Sequence, residues 1–266
     1  MSHRKITVKS FNGIGDLLFA TPTFRVLKEN NLCDELVVNT NRPELVLDNP
    51  FVDKVNESSE GIFLGYDDPI HCKAPTCHHI EKDFEIIMSQ SGMAASIGEY
   101  ARKLKLQPEI YMPLGEKAQG RVGVQVMHKG HWHKKKVWPY FDDLAKFIGF
   151  EPIPSFDMIQ TLVRYISSCD VVVCAEGGIS HIAKAVGTKA VVVYGGFAEP
   201  EWNGYADQTN LTHSLWCSPC YNSKPCVCRP ERACMREIFM SSVMLKAKMM
   251  LSASDCTEKV ASGATL

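Results

Sequence analysis

The chain has 266 residues, 45% hydrophobic and 22% charged, with a formal net charge of -1. This is the composition of an ordinary globular protein of one large or two small domains, and it disfavours a general nucleic-acid binder. No apolar run approaches the roughly 20 residues that a membrane span needs, and Met1 to Lys5 leads into Ile6-Thr7-Val8 without a signal-peptide core, so the expected location is cytoplasmic.

In chain order, a strand is expected over Ile6 to Lys9, a glycine turn over Asn12 to Gly15, and a helix over Asp16 to Glu29. Pro22 should kink that helix or delay its start. A strand at Glu35 to Asn39, a short helix near Pro43 to Asp48 and a strand around Val52 to Val55 complete a βαβαβ order, which predicts a parallel, doubly wound sheet. Residues 58–79 lack periodicity and read as loop. Helices follow at His79 to Ser91 and Ile97 to Leu104, then an extended linker at Pro108 to Gly115.

A second unit opens with a strand at Arg121 to Val126. Phe141, Leu144, Ala145 and Ile148 would share one face of a helix over Tyr140 to Ile148, and Ile159, Leu162, Val163 and Ile166 one face of a helix over Phe156 to Ser168. The apolar runs Asp170 to Val173 and Ala190 to Tyr194 read as buried parallel strands flanking a glycine turn and short helix. A last helix is expected from Met235 to Met250. The domains are therefore read as 1–115, 116–251 and a disordered tail at 252–266.

Five of the eleven cysteines, Cys217, Cys220, Cys226, Cys228 and Cys234, fall within 18 residues. The spacing CxxC…CxC…C is not that of a common zinc ribbon, and structural zinc or iron, a disulfide and free thiols all stay open. Cys72 and Cys77 with His71, His78 and His79 form a weaker cluster that reads as loop residues. The turn after the strand at Asp170 to Val173 holds Gly177 and Gly178, whose amides at a helix start suit a phosphate, or serve the turn alone. His181, one turn on, is a phosphate contact or an ordinary buried histidine. Lys134, Lys135 and Lys136 are a solvated loop or a source of charge for a diphosphate. Asp16, beside Gly13 and Gly15, is a helix cap or a general base.

Four ordered motifs carry a resemblance: Gly13-Ile-Gly-Asp16-Leu-Leu-Phe-Ala-Thr-Pro22, Lys136-Val-Trp-Pro139, Glu176-Gly-Gly-Ile-Ser-His181-Ile-Ala and Cys217-Ser-Pro-Cys220…Cys234-Met. Together they resemble the bacterial heptosyltransferase family, glycosyltransferase family 9, in a branch with EGG for the commoner DTG or DSG. That branch also has the run seen here as Gly195-Gly196-Phe197…Pro200…Gly204-Tyr205…Asn210. The resemblance implies a GT-B fold, two facing Rossmann-like domains with parallel sheets. The first domain would hold the acceptor and the second a nucleotide-sugar. It implies an inverting, metal-independent transfer of a heptose or hexose to a hydroxyl of a glycan, of lipopolysaccharide or capsule type, or of a protein. Asp16 would be the base, with Gly13 and Gly15 as the acceptor-side turn. Lys136, Glu176, Gly177, Gly178, Ile179, Ser180 and His181 would bind the donor. No cofactor would be needed for catalysis, and no Asp-x-Asp occurs in the chain. Between Gly149 and Phe156 only six residues remain where the family places a strand and longer connection, so the second domain is expected to be shortened by a strand. A phage-type DNA-base glycosyltransferase, a degenerate nucleotide-sugar-binding module stabilised by metal, and association into an oligomer stay open.

Overall fold

In the computed structural model, residues 3–57, 60–64, 77–126, 133–220, 226–228 and 231–261 are described, with the side chains of all these but 133–134 and 253–261. His71, Cys72 and the side chain of Lys134 lie outside the described residues. The chain divides into two compact units, residues 1–113 with 201–203, and residues 114–200 with 204–266. The division falls inside the extended stretch at Pro108 to Gly115.

The first unit holds β1 (Lys5–Ser10), α1 (Ile14–Glu29), β2 (Glu35–Thr40), β3 (Lys54–Val55), β4 (Ile62–Phe63), α2 (His79–Gln90) and α3 (Ile97–Ala101). Its sheet is parallel in the order β3-β2-β1-β4, with Val8 opposite Val38. Ile6, Val8 and Leu36 to Val38 are all buried, as strands covered on both faces require.

Helix α1 does not start late, and it runs through Pro22 to Glu29. Pro22 lacks the amide that Leu18 would otherwise receive, and the hydroxyl of Thr21 donates to the Leu18 carbonyl instead, at 2.8 Å. The same hydroxyl accepts the Glu109 amide at 2.8 Å, and the Glu109 carboxylate pairs with Arg25 at 2.7 Å. The extended stretch is thereby tied to α1.

Strand β4 corrects the reading of 58–79 as loop. Gly61 makes it possible, since its φ of +137° suits glycine and a Cβ there would lie 2.8 Å from the Thr7 carbonyl of the neighbouring strand.

The second unit holds β5 (Val122–Val124), α4 (His133–Lys136), α5 (Phe141–Leu144), β6 (Phe150–Pro152), α6 (Ile159–Ser168), β7 (Val171–Ala175), α7 (Gly178–Ala185), β8 (Lys189–Gly195), then after α8 (Pro200–Asn203), whose residues 201–203 fall with the first unit, β9 (Thr209–Thr212), α9 (Ala233–Arg236) and α10 (Met240–Ala261). Its sheet is parallel, in the order β6-β5-β7-β8-β9. Val171 to Cys174 and Ala190 to Val193 are fully buried at its centre. The six-residue connection expected to lack a strand supplies the edge strand β6.

Three further expectations are corrected here. The helix over Tyr140 to Ile148 stops at Leu144: Phe141 and Leu144 enter the core, while Ile148 is fully exposed ahead of Gly149, which sits at φ +86°. The helix expected from Met235 is broken into α9 and α10. Residues 252–261, expected to be disordered, continue α10, and 262–266 lie outside the described residues. Among the described residues no helix is long and apolar enough to cross a membrane.

Candidate functional site

The parallel order of the second sheet decides what meets at its carboxyl edge. β5 and β7 are neighbours, with Val124 opposite Val173. The segments that leave them, α4 after β5 and Glu176-Gly177-Gly178 after β7, emerge side by side, where ligands bind in open parallel sheets. Trp138 anchors the first segment. It is buried, donates its indole N–H to the Ile238 carbonyl at 2.9 Å, and packs edge-on against Phe141. Two residues before it, the ammonium of Lys136 forms an ion pair with the Glu176 carboxylate and lies 4.7 Å from the centre of the Phe197 ring.

The turn itself is built for close backbone approach. Gly177 sits at φ +146°, a conformation that side chains disfavour, and Gly177, Gly178 and Ile179 are half-buried while Glu176, Ser180 and His181 are buried. Ser180 is engaged locally. Its hydroxyl donates to the Gly177 carbonyl at 2.7 Å and accepts the Gly177 amide at 3.4 Å. The first amides of α7 have no acceptor within the helix, so they and the helix dipole favour an anion at this end.

His181 is held from behind. Its Nδ1 lies 2.9 Å from the Tyr205 hydroxyl, with the two rings edge to face. Burial, helped by the charges of Asp207 and Glu176, pushes the Tyr205 phenol well above its ordinary range, so it stays an O–H. Gln208 donates to the Ser180 carbonyl at 2.8 Å. Tyr205, Gln208 and Phe197 are site-supporting residues that sequence reasoning did not assign. Only the Gly204-Tyr205 and Phe197 positions of the family-like run gave any signal.

In the first unit, Asp16 stands in the first turn of α1, and its Oδ2 accepts the Gly13 amide at 2.6 Å. The capping role is therefore filled. Gly13 is exposed and Gly15 half-buried, and a Cβ at Gly13 would approach the Asp16 carboxylate to 3.1 Å.

All five clustered cysteines line one cavity of about 130 Å³ in the second unit, together with Lys135 and Arg232. None of them is disulfide-bonded. The sulfurs of Cys217 and Cys228 are 2.8 Å apart. Burial raises the Cys226 thiol, but backbone hydrogen bonds at Arg232 and Cys228 pull it below the ordinary thiol range overall. The hydrogen bond with Cys217, followed by burial, pushes Cys228 up. This is the donor chemistry of a zinc or iron site, yet among the described residues no three His, Cys, Asp or Glu side chains are grouped so as to hold a metal ion.

Residues 158–229, which include the glycine turn and most of the cysteine segment, match the model of glycosyltransferase family 9 (heptosyltransferase). The chain is similar to that family over this stretch. No curated protein matches the chain by sequence. Among solved structures, the iron-containing dodecameric glycosyltransferase TibC of enterotoxigenic E. coli is 12% identical, with a TM-score of 0.69 over 95% of this chain and 81% of that one. TibC in complex with ADP-D-β-D-heptose gives 13%, 0.65, 94% and 77% for the same measures. The ADP-heptose LPS heptosyltransferase II of E. coli gives 14%, 0.54, 94% and 99%. Identities this low speak for the fold, which is α/β with two parallel sheets, of the GT-B type. The family match supports glycosyltransferase activity.

Proposed function

We propose that the protein transfers a heptose or hexose from a nucleotide-diphosphate donor to a hydroxyl of a glycan or protein, by an inverting displacement that places no metal ion on the diphosphate. The observation that carries the proposal is the α7 amino end, inside the family-matched region, with Lys136 set beside it by the neighbouring strand. In this reading the amides of Gly178 and Ile179 and the ammonium of Lys136 hold the diphosphate, and His181 donates to one of its oxygens. Asp16 takes the proton of the acceptor hydroxyl as that oxygen attacks the anomeric carbon. The bond from the anomeric carbon to the diphosphate oxygen breaks, and the electron pair stays with the leaving phosphate. Groups already in place for that charge lower the barrier, because they need not reorganise as it develops. The shared thiol cavity supports a second element of the proposal: four of Cys217, Cys220, Cys226, Cys228 and Cys234 hold a structural zinc or iron that takes no part in the transfer.

Thermal unfolding with a panel of ADP-, GDP- and UDP-sugars tests the main reading. A donor at about 100 times its dissociation constant should stabilise the native state by about 2.7 kcal/mol. Absence of any shift across the panel at millimolar concentration would contradict it.

A further inference from the structure

A site for a diphosphate needs positive charge, yet here its lysine is already matched by a buried anion. The Glu176 side chain is 5% exposed and pairs with Lys136, itself 17% exposed and held against Phe197. Two neighbouring groups that feel this carboxylate keep their protons. Burial first, and the Glu176 charge after it, raises the Cys174 thiol, and the Tyr205 phenol is raised by burial, then Asp207, then Glu176. His181 faces Tyr205.

Donor and product of the proposed reaction differ in charge. A sugar-capped diphosphate carries two negative charges. The free nucleoside diphosphate gains a third as its terminal phosphate ionises, with a second pKa of about 6. A carboxylate in buried surroundings repels that third charge more than it would in water.

We propose that Glu176 is a specificity-determining residue: by competing for Lys136 and by its own charge, it makes the site prefer a sugar-capped diphosphate to the free nucleoside diphosphate. This deepens the transferase reading and rests on it. When the anomeric carbon–oxygen bond breaks, the leaving oxygen keeps the electron pair, Glu176 reclaims Lys136, and the product is released.

Calorimetric titration of the wild type, Glu176→Gln and Glu176→Asp with ADP and ADP-glucose, and in parallel with the GDP and UDP pairs, tests this. Glu176→Gln should bind the free diphosphate about tenfold more tightly than the wild type does, while its affinity for the sugar-capped partner changes less than about threefold. Glu176→Asp keeps the charge and should keep the wild-type ratio. An unchanged ratio in Glu176→Gln, or the same change in both variants, would overturn the proposal. Should Glu176→Gln not fold, the wild type decides alone: ADP methylated on its terminal phosphate should bind more tightly than ADP, and equal affinity would overturn the proposal. A wild type that binds none of these ligands would overturn the transferase reading itself.

Discussion

Tyr205 can set the tautomer of His181. Held as a neutral phenol, it can give its proton to Nδ1, 2.9 Å away, which leaves the imidazole proton on Nε2. A histidine that must donate to a phosphate oxygen benefits from that tautomer. Tyr205→Phe removes the hydrogen bond from a buried pair and should cost about 1–2 kcal/mol of stability. It should also weaken nucleotide-sugar binding by about fivefold to tenfold, read from titration beside a thermal melt. A loss of stability with unchanged donor affinity would make Tyr205 a packing residue only. His181 and Glu176 were legible as residues of interest, because they flank a glycine turn between two apolar runs. Lys136 was legible too, as charge for a diphosphate, but neither pairing was: Tyr205 lies 24 residues beyond His181 and Lys136 lies 40 before Glu176, and only strand order brings such pairs together.

At the scale of elements, the sequence reads well where each pattern is local and both faces are covered. The run Val171-Val172-Val173 forms a strand, and α7 begins at Gly178, where the turn predicts it. The reading fails where a neighbour supplies the reason. β4 is two residues long and owes its existence to parallel pairing with β1 beside Gly61. The apolar spacing of Phe141, Leu144 and Ile148 continues past the point where α5 ends, and it leaves Ile148 in solvent. The cysteine segment is legible as a cluster and not as a pairing. All five thiols reach one cavity even though four of them, Cys217, Cys220, Cys226 and Cys228, fall in no helix or strand. Metal analysis of the purified protein should find about one zinc or iron per chain, and Cys220→Ser should lose most of it together with thermal stability. Metal-free wild type with an unchanged melting temperature after chelation would contradict a structural metal.

For the whole molecule, the proposed transfer requires Asp16 of the first unit and the glycine turn of the second to act in a single reaction. Asp16 already accepts the Gly13 amide, so its removal by alanine would disturb a helix start as well as a base. Asn keeps an oxygen for that amide and cannot take a proton at neutral pH, which makes Asp16→Asn the cleaner variant. The two-unit α/β organisation was legible because each glycine turn follows a strand, whereas the pairing of functions across the units rests on family likeness, since no spacing in the chain encodes it. The direct measurement is nucleotide release from the donor that stabilises the protein, with glycan and protein acceptors present, alongside donor affinity. Asp16→Asn should bind that donor within about threefold of the wild type and lose roughly 10²- to 10⁴-fold in turnover. Turnover equal to that of the wild type would contradict the account.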